Sequence, residues 1–172
     1  FDPDNDLLLE IEQAHSFNGL LSQLKRDNVI GRMEAAKALK KYLDDPKTIR
    51  ALQRSALHDR SWFVRKAALQ SVAKEMSSKD FLMAFIREKH SQPRRAIVTG
   101  MSKYHPEEAV KLIRKYIDSD NSYIVQAEML QQLGNIGEKS DIEMIEFYKN
   151  QWSPRKILRN ASVKSLAKLK GN

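Results

Sequence analysis

Residues 64–74 read VRKAALQSVAK, an arginine followed by small and apolar residues at helical spacing, and this arrangement recurs along the chain. Aligned on the position of the arginine, the five anchors lie 33, 29, 32 and 33 residues apart. A period of about 30 residues indicates a protein built from repeated structural units. The matching segments are GRMEAAKAL (31–39), VRKAALQSV (64–72), PRRAIVTGM (93–101), VQAEMLQQL (125–133) and LRNASVKSL (158–166), with anchors at Arg32, Arg65, Arg94, Gln126 and Arg159.

Each segment places small or apolar residues three, four and seven positions after its anchor, as Ala68, Leu69 and Val72 follow Arg65. These offsets share one face of an α-helix, so each segment predicts a helix with one buried stripe. A second amphipathic segment precedes each anchor segment, and polar breaks separate the pairs. The sequence therefore predicts an all-α fold, an α-α superhelix (HEAT-like solenoid) of about five helix pairs over residues 16–170.

Capping residues agree with this division. The side chains of Asn and Ser accept hydrogen bonds from the free amides of a first helical turn. Proline is tolerated in that turn, where Pro154 stands. The expected N-caps are Asn28, Ser61, Ser91, Ser122 and Ser153.

The charge of the chain is unevenly distributed. The 172 residues carry 30 basic and 22 acidic side chains, a net charge of +8, but residues 1–12 hold five of the acids and no base. Residues 152–172 hold six bases and no acid. An anionic partner and a solvated basic surface would both explain this basic body.

The sequence shows no sign of a membrane segment or of catalytic machinery. No apolar run approaches the ~18 residues of a membrane span, so we expect a soluble protein, with the cytoplasm as the first choice of compartment. The chain has no cysteine, and its four histidines show no HExxH or similar metal-binding spacing. We therefore expect no catalytic residue, no metal ligand and no cofactor in this chain.

The repeated arginine beside small residues resembles the HEAT-repeat family over roughly residues 16–170, with VRKAALQSVAK as the best match. In that family the arginine usually pairs with an acid or a backbone carbonyl of the neighbouring repeat. The resemblance implies that the arginines form a structural ladder and do not contact a ligand. Gln126 departs from the pattern and leaves the fourth step of the ladder open. The ladder residues are Arg32, Arg65, Arg94 and Arg159.

The first residues, FDPDNDLLLEIE, resemble a junction in gluzincin aminopeptidases of the aminopeptidase N group, where a β domain ends in such a strand and a HEAT-like domain follows. The resemblance implies that residues 1–15 are a strand or linker left from a preceding domain. Residues 16–170 would then be a non-catalytic accessory domain of a zinc metallopeptidase, packing on the catalytic part and shaping substrate access. Zinc would belong to the upstream domains, which would be the first partner.

Positions that point away from the buried stripes hold eight bases and two acids. Because stacked second helices of a solenoid line a concave surface, bases from successive repeats should converge there. We expect this basic face to bind a peptide or protein ligand. The candidate binding residues are Lys66, Arg95, Lys103 and Lys164.

Two alternatives to the accessory domain remain. One is a free-standing HEAT-repeat scaffold that binds proteins, and the other is a nucleic-acid binder resembling the HEAT-like DNA glycosylases, which grip phosphates with basic helices. Trp62 and Trp152 stand just before a second helix, where an indole would either stack on a base or pack against the helix entry. Their neighbours favour packing, so nucleic acid is not the expected partner.

Overall fold

The computed structural model describes residues 16–171, in which ten α-helices and no strand are present. None of these helices is both long and apolar enough to span a bilayer. The chain divides into two compact units, one ending at Glu75 and one beginning at Met76. The strand or linker expected at residues 1–15 lies outside the described residues. The helices are residues 16–26 (α1), Val29–Ala38 (α2), Pro46–His58 (α3), Trp62–Val72 (α4), Ser78–Arg87 (α5), Ser91–Tyr104 (α6), Pro106–Tyr116 (α7), Tyr123–Ile136 (α8), Ile142–Lys149 (α9) and Ile157–Gly171 (α10).

All five anchor segments lie in the even-numbered helices. In the first unit, α4 packs against α2 and α3. In the second unit, α6, α8 and α10 each pack against the helix that precedes them, and α8 also packs against both α6 and α10. The prediction of an all-α helical-repeat fold is confirmed, with ten helices in five consecutive pairs.

The predicted stripes form the core of each unit. Ala35 and Ala36 of α2 are completely buried, as are Leu130 and Leu133 of α8. The stripe of α10 is incomplete, because Val163 is 50% exposed. This residue was expected to be buried, but no described helix packs over its side of α10.

Small residues allow α8 and α10 to approach closely. The Ser165 hydroxyl donates a hydrogen bond to the Leu130 carbonyl at 2.6 Å. A Cβ atom added to Gly134 would lie 2.6 Å from the Cα atom of Ser165. Any larger residue at position 134 would therefore push α10 away from α8.

Two of the five expected cap residues, Asn28 and Ser153, accept helix amides through their side chains, whereas the caps of α4, α6 and α8 differ from the prediction. The Asn28 side chain accepts a first-turn amide of α2 at 2.9 Å, and the Ser153 hydroxyl accepts the Leu158 N–H in the first turn of α10 at 3.1 Å. α6 is capped by His90, whose Nδ1 accepts from the Gln92 N–H at 3.2 Å. The expected cap, Ser91, is instead the first residue of that helix.

Candidate functional site

Arg32 is the most enclosed of the predicted ladder arginines, at 4% exposure. Its Nε and Nη2 donate to the two carboxylate oxygens of Asp59 at 2.8 and 2.9 Å, and its Nη1 donates to the Asp27 carbonyl at 2.9 Å. Asp59 lies in the loop of the next helix pair, so the contact joins two repeats of the first unit. Burial alone would raise the pKa of Asp59, but hydrogen bonds from Arg32 and the Ser61 N–H hold it below its usual value. The pair is therefore ionised at neutral pH.

The same loop position carries an acid in the second and fourth helix pairs. Asp59 Oδ1 accepts from the Ser61 N–H at 2.8 Å, and Asp120 Oδ1 accepts from the Ser122 N–H at 2.9 Å. The expected side-chain caps are absent at these two serines, which make no cap bond through their hydroxyls. Each of these acids stands six residues before an anchor, a signal in the sequence that would have identified the carboxylates of the ladder.

Arg94 makes the corresponding contact in the second unit. Its Nη2 donates to Asp120 Oδ2, and its Nη1 donates to the Glu88 carbonyl at 3.3 Å. The guanidinium also lies over the ring of Phe85, 4.4 Å from the centroid, which adds a cation–π contact. Arg94 thus bridges two helix pairs, as Arg32 does.

The remaining anchors make different contacts. Arg65 Nη1 donates to the Asp59 carbonyl at 2.8 Å. Gln126 donates through Nε2 to the Ile117 carbonyl at 2.9 Å, so it keeps the backbone contact of the ladder through an amide. Arg159 is exposed, and no hydrogen bond or ion pair to it is found within residues 16–171.

A further set of polar contacts joins α7 to α9. Arg114 donates through Nε and Nη2 to the two oxygens of Asp141 at 2.7 and 3.0 Å. The Tyr148 hydroxyl donates to Asp118, and burial together with this carboxylate raises the pKa of the tyrosine. The anchor alignment did not predict these contacts, because it gives no information on the odd-numbered helices.

The four cations of the predicted basic face have different environments. Lys66 belongs to the first unit, where it is partly buried and engaged with other groups. Arg95 was expected to be a free cation, but its Nη2 donates to Glu128 Oε2 at 3.1 Å, and that carboxylate is 7% exposed. Lys103 is exposed, with Nζ 5.1 Å from the ring centroid of the adjacent tyrosine. Lys164 lines a groove of the second unit.

This groove, here called the α8–α10 groove, lies at the N-terminal ends of α6, α8 and α10 and has a volume of about 950 Å³. Three cations, Lys89, Arg155 and Lys164, line it, and no Asp or Glu is among its described lining residues. The first-turn amides of helices favour negative charge, so they add to the positive potential. The other lining residues are polar or apolar: His90, Ser91, Asn121, Ser122, Gln131, Asn160, Tyr123, Ile124, Pro154, Ile157 and Ala161.

Trp152 lies beside this groove and is 76% exposed. The expectation that it packs against the helix entry is therefore wrong. Its ring meets that of Tyr123 edge to face, with centroids 6.1 Å apart. It also lines a second cleft of about 480 Å³, which shares Pro154 and Arg155 with the groove. Trp62, in contrast, stacks on the neighbouring phenylalanine at 3.7 Å.

The backbone beside Trp152 takes an uncommon conformation. Arg155 and Lys156 both have positive φ, at 52° and 55°. Such left-handed residues cost about 1–2 kcal/mol each, and they occur often at binding sites. Arg155 lines both the groove and the second cleft, and Lys156 lines the second cleft.

The chemistry of this surface is that of binding. Lysine and arginine can neutralise a carboxylate, side-chain amides can donate hydrogen bonds to it, and exposed aromatic rings can cover apolar groups. Within the described part of the chain, no three His, Asp or Glu side chains lie close enough together to hold a metal ion.

Part of the chain matches the sequence model of one known protein family. Residues 17–98, somewhat less than half of the chain, match the sequence model of HEAT repeats. No curated protein matches the chain. HEAT repeats generally mediate protein interactions and are typically non-enzymatic. The match, together with the repeated helix pairs, supports a HEAT-like helical-repeat domain.

Proposed function

We propose that this chain is a non-catalytic HEAT-like scaffold that binds an acidic segment of a partner protein in the α8–α10 groove. The observation that carries the proposal is the composition of the groove, which has three cations and no carboxylate along its described lining. An acidic segment would supply the missing charges. The exposed Trp152 and the adjacent Tyr123 would cover its apolar residues, and tryptophan, tyrosine and arginine are the side chains that contribute most at protein interfaces.

The expected affinity follows from these contacts. Exposed ion pairs contribute about 0.2–1 kcal/mol each, so the three cations alone cannot hold a partner tightly. Apolar contact with the aromatic pair would bring the dissociation constant to about the micromolar range, near −8 kcal/mol. Because exposed charges are screened over a Debye length of about 8 Å at physiological salt, binding should weaken as salt is added.

The test uses the full chain and a fluorescein-labelled peptide in which Asp and Glu alternate with Leu and Phe. Fluorescence anisotropy should show saturable binding, and a peptide with Asn and Gln in place of the acids should bind far more weakly. The double variant Arg155→Glu, Lys164→Glu should lose binding. The matched control Lys111→Glu, Lys139→Glu makes the same charge change at exposed positions outside the groove and should bind like the unmodified chain. Equal loss in both variants would refute the proposed site.

A second candidate function rests on the stretch FDPDNDLLLEIE alone. It favours the accessory domain of an aminopeptidase N-like zinc peptidase, with upstream domains of the same polypeptide as partners. The stretch lies outside the described residues, and neither the family match nor the helical repeats support a peptidase parent. Sequencing the gene upstream of Phe1 tests this hypothesis, which requires a zinc-peptidase domain in the same reading frame.

A further inference from the structure

A second groove lies entirely within the first unit, between α1 and α3. Its volume is about 540 Å³. Four cations line it: Lys25 from α1, and Lys47, Arg50 and Arg54 from α3. All four are exposed, and no side-chain hydrogen bond or ion pair to them is found among the described residues. Within residues 16–171, no carboxylate therefore neutralises the four cations of this α1–α3 groove.

One carboxylate lines the α1–α3 groove, and it is already engaged. Asp59 accepts two hydrogen bonds from Arg32, at 2.8 and 2.9 Å, and one from the Ser61 N–H at 2.8 Å. Arg32 is outside the groove lining, so its contact with Asp59 removes the negative charge from the groove without using a groove cation. The described lining thus carries a net positive charge.

Three cations of α3 and the imidazole of His58 form a row along one side of the helix. Lys47, Arg50, Arg54 and His58 are three or four residues apart, which places them on one side of the helix. At 1.5 Å per residue, the row extends about 16 Å. One strand of a nucleic-acid duplex carries a phosphate about every 3.4 Å along the axis, so about five phosphates lie within the reach of this row.

The lining also shows what the groove lacks. No aromatic residue is among the described residues that line it. Single-stranded nucleic acid is held largely by stacking of bases on aromatic rings, and protein partners are usually anchored by Trp and Tyr together with Arg. The α8–α10 groove has Trp and Tyr rings in or beside its lining, whereas the apolar part of this groove is only Leu21, Leu24 and Ala51.

We infer that the α1–α3 groove binds the phosphate backbone of a nucleic-acid duplex, without reading its sequence. The inference is independent of the proposed peptide site, because no residue is shared between the two grooves. Binding of this type depends on the release of counterions and therefore falls steeply with salt.

The test measures binding of a fluorescein-labelled DNA duplex of mixed sequence to the full chain by anisotropy, from about 50 to 200 mM salt. With four phosphate contacts, the plot of log K against log salt should have a slope of about −3.6. The variant Arg50→Glu, Arg54→Glu should bind about tenfold more weakly or worse, with the slope reduced in size by about two. The control Lys40→Glu, Lys41→Glu makes the same charge change in the same unit, outside the groove, and should change affinity less than about threefold.

Three results would overturn the inference. The first is the absence of duplex binding at the lowest salt, and the second is an equal loss of affinity in the control variant. The third is tighter binding of an acidic peptide than of duplex at the same salt, with the same sensitivity to Arg50 and Arg54, which would make the groove a protein site. Circular dichroism of each variant checks that the helices are retained.

Discussion

Removal of the Asp59 carboxylate should destabilise the first unit strongly. The side chains of Arg32 and Asp59 are only 5% and 9% exposed, and two hydrogen bonds join them. Removing one partner of a buried pair leaves the other charge without compensation, at a cost of about 3–5 kcal/mol. The same change also removes the acceptor of the Ser61 N–H. We therefore expect Asp59→Ala to lower the free energy of unfolding by about 3 kcal/mol.

The assay is urea unfolding followed by tryptophan fluorescence. The chain has two tryptophans, so Trp152→Phe leaves Trp62 as the sole reporter, and Trp62 lies in the first unit. Glu34→Ala is the control, because it breaks an ion pair between two exposed side chains. Glu34 is 55% exposed and its partner Lys37 is 54% exposed. It should cost less than about 0.5 kcal/mol.

A double-mutant cycle with Arg32→Ala separates the pair from other effects of the substitution. If the two residues act together, the double variant should lose less free energy of unfolding than the sum of the two single variants, by about 2 kcal/mol or more. A cost below about 1 kcal/mol for Asp59→Ala, or additive losses in the cycle, would refute the view that the ladder contributes to stability through this contact.

Three further predictions concern the fold. Asp59 and Asp141 have pKa values below the usual range, because hydrogen bonds and neighbouring arginines outweigh burial. Their contribution to stability should be complete above about pH 4 and should be lost as the pH falls through the folded-state pKa values. The urea midpoint should therefore fall over that acidic range. Gly134→Ala should cost about 1–3 kcal/mol, because the added methyl meets Ser165, and a thermal melt unchanged from the parent would contradict the close contact. Leu69→Asp, at a position 2% exposed, should bury an unpaired charge and cost several kcal/mol, measured by the same urea assay.

The repeat could be predicted from the sequence because its signal is local. A helix repeats every 3.6 residues, so the offsets after each anchor define a buried face before any tertiary contact is known. Ala68, Leu69 and Val72 are buried as this rule requires. The rule failed at Val163, where burial depends on a covering element and not on the helix itself.

The binding surface was harder to predict because it depends on contacts between helices. Arg95 points away from the stripe of its own helix, but only the packing of α6 on α8 brings Glu128 within 3.1 Å of it. Lys89 and Arg155 lie outside the anchor segments, so the alignment did not select them. Trp152 also lies outside the anchor segments, just before the turn in which Arg155 has positive φ, and the alignment gave no information on its exposure.

The most direct test of the proposed function is a ¹H–¹⁵N correlation NMR titration of the full chain with the Asp- and Glu-containing peptide. The account predicts saturable shifts that are largest at the amides of groove residues such as Lys89, Tyr123 and Lys164, and that are nearly absent with the Asn and Gln peptide. Shifts spread evenly over the exposed lysines, or equal shifts with the uncharged peptide, would contradict the claim that the α8–α10 groove binds an acidic protein segment.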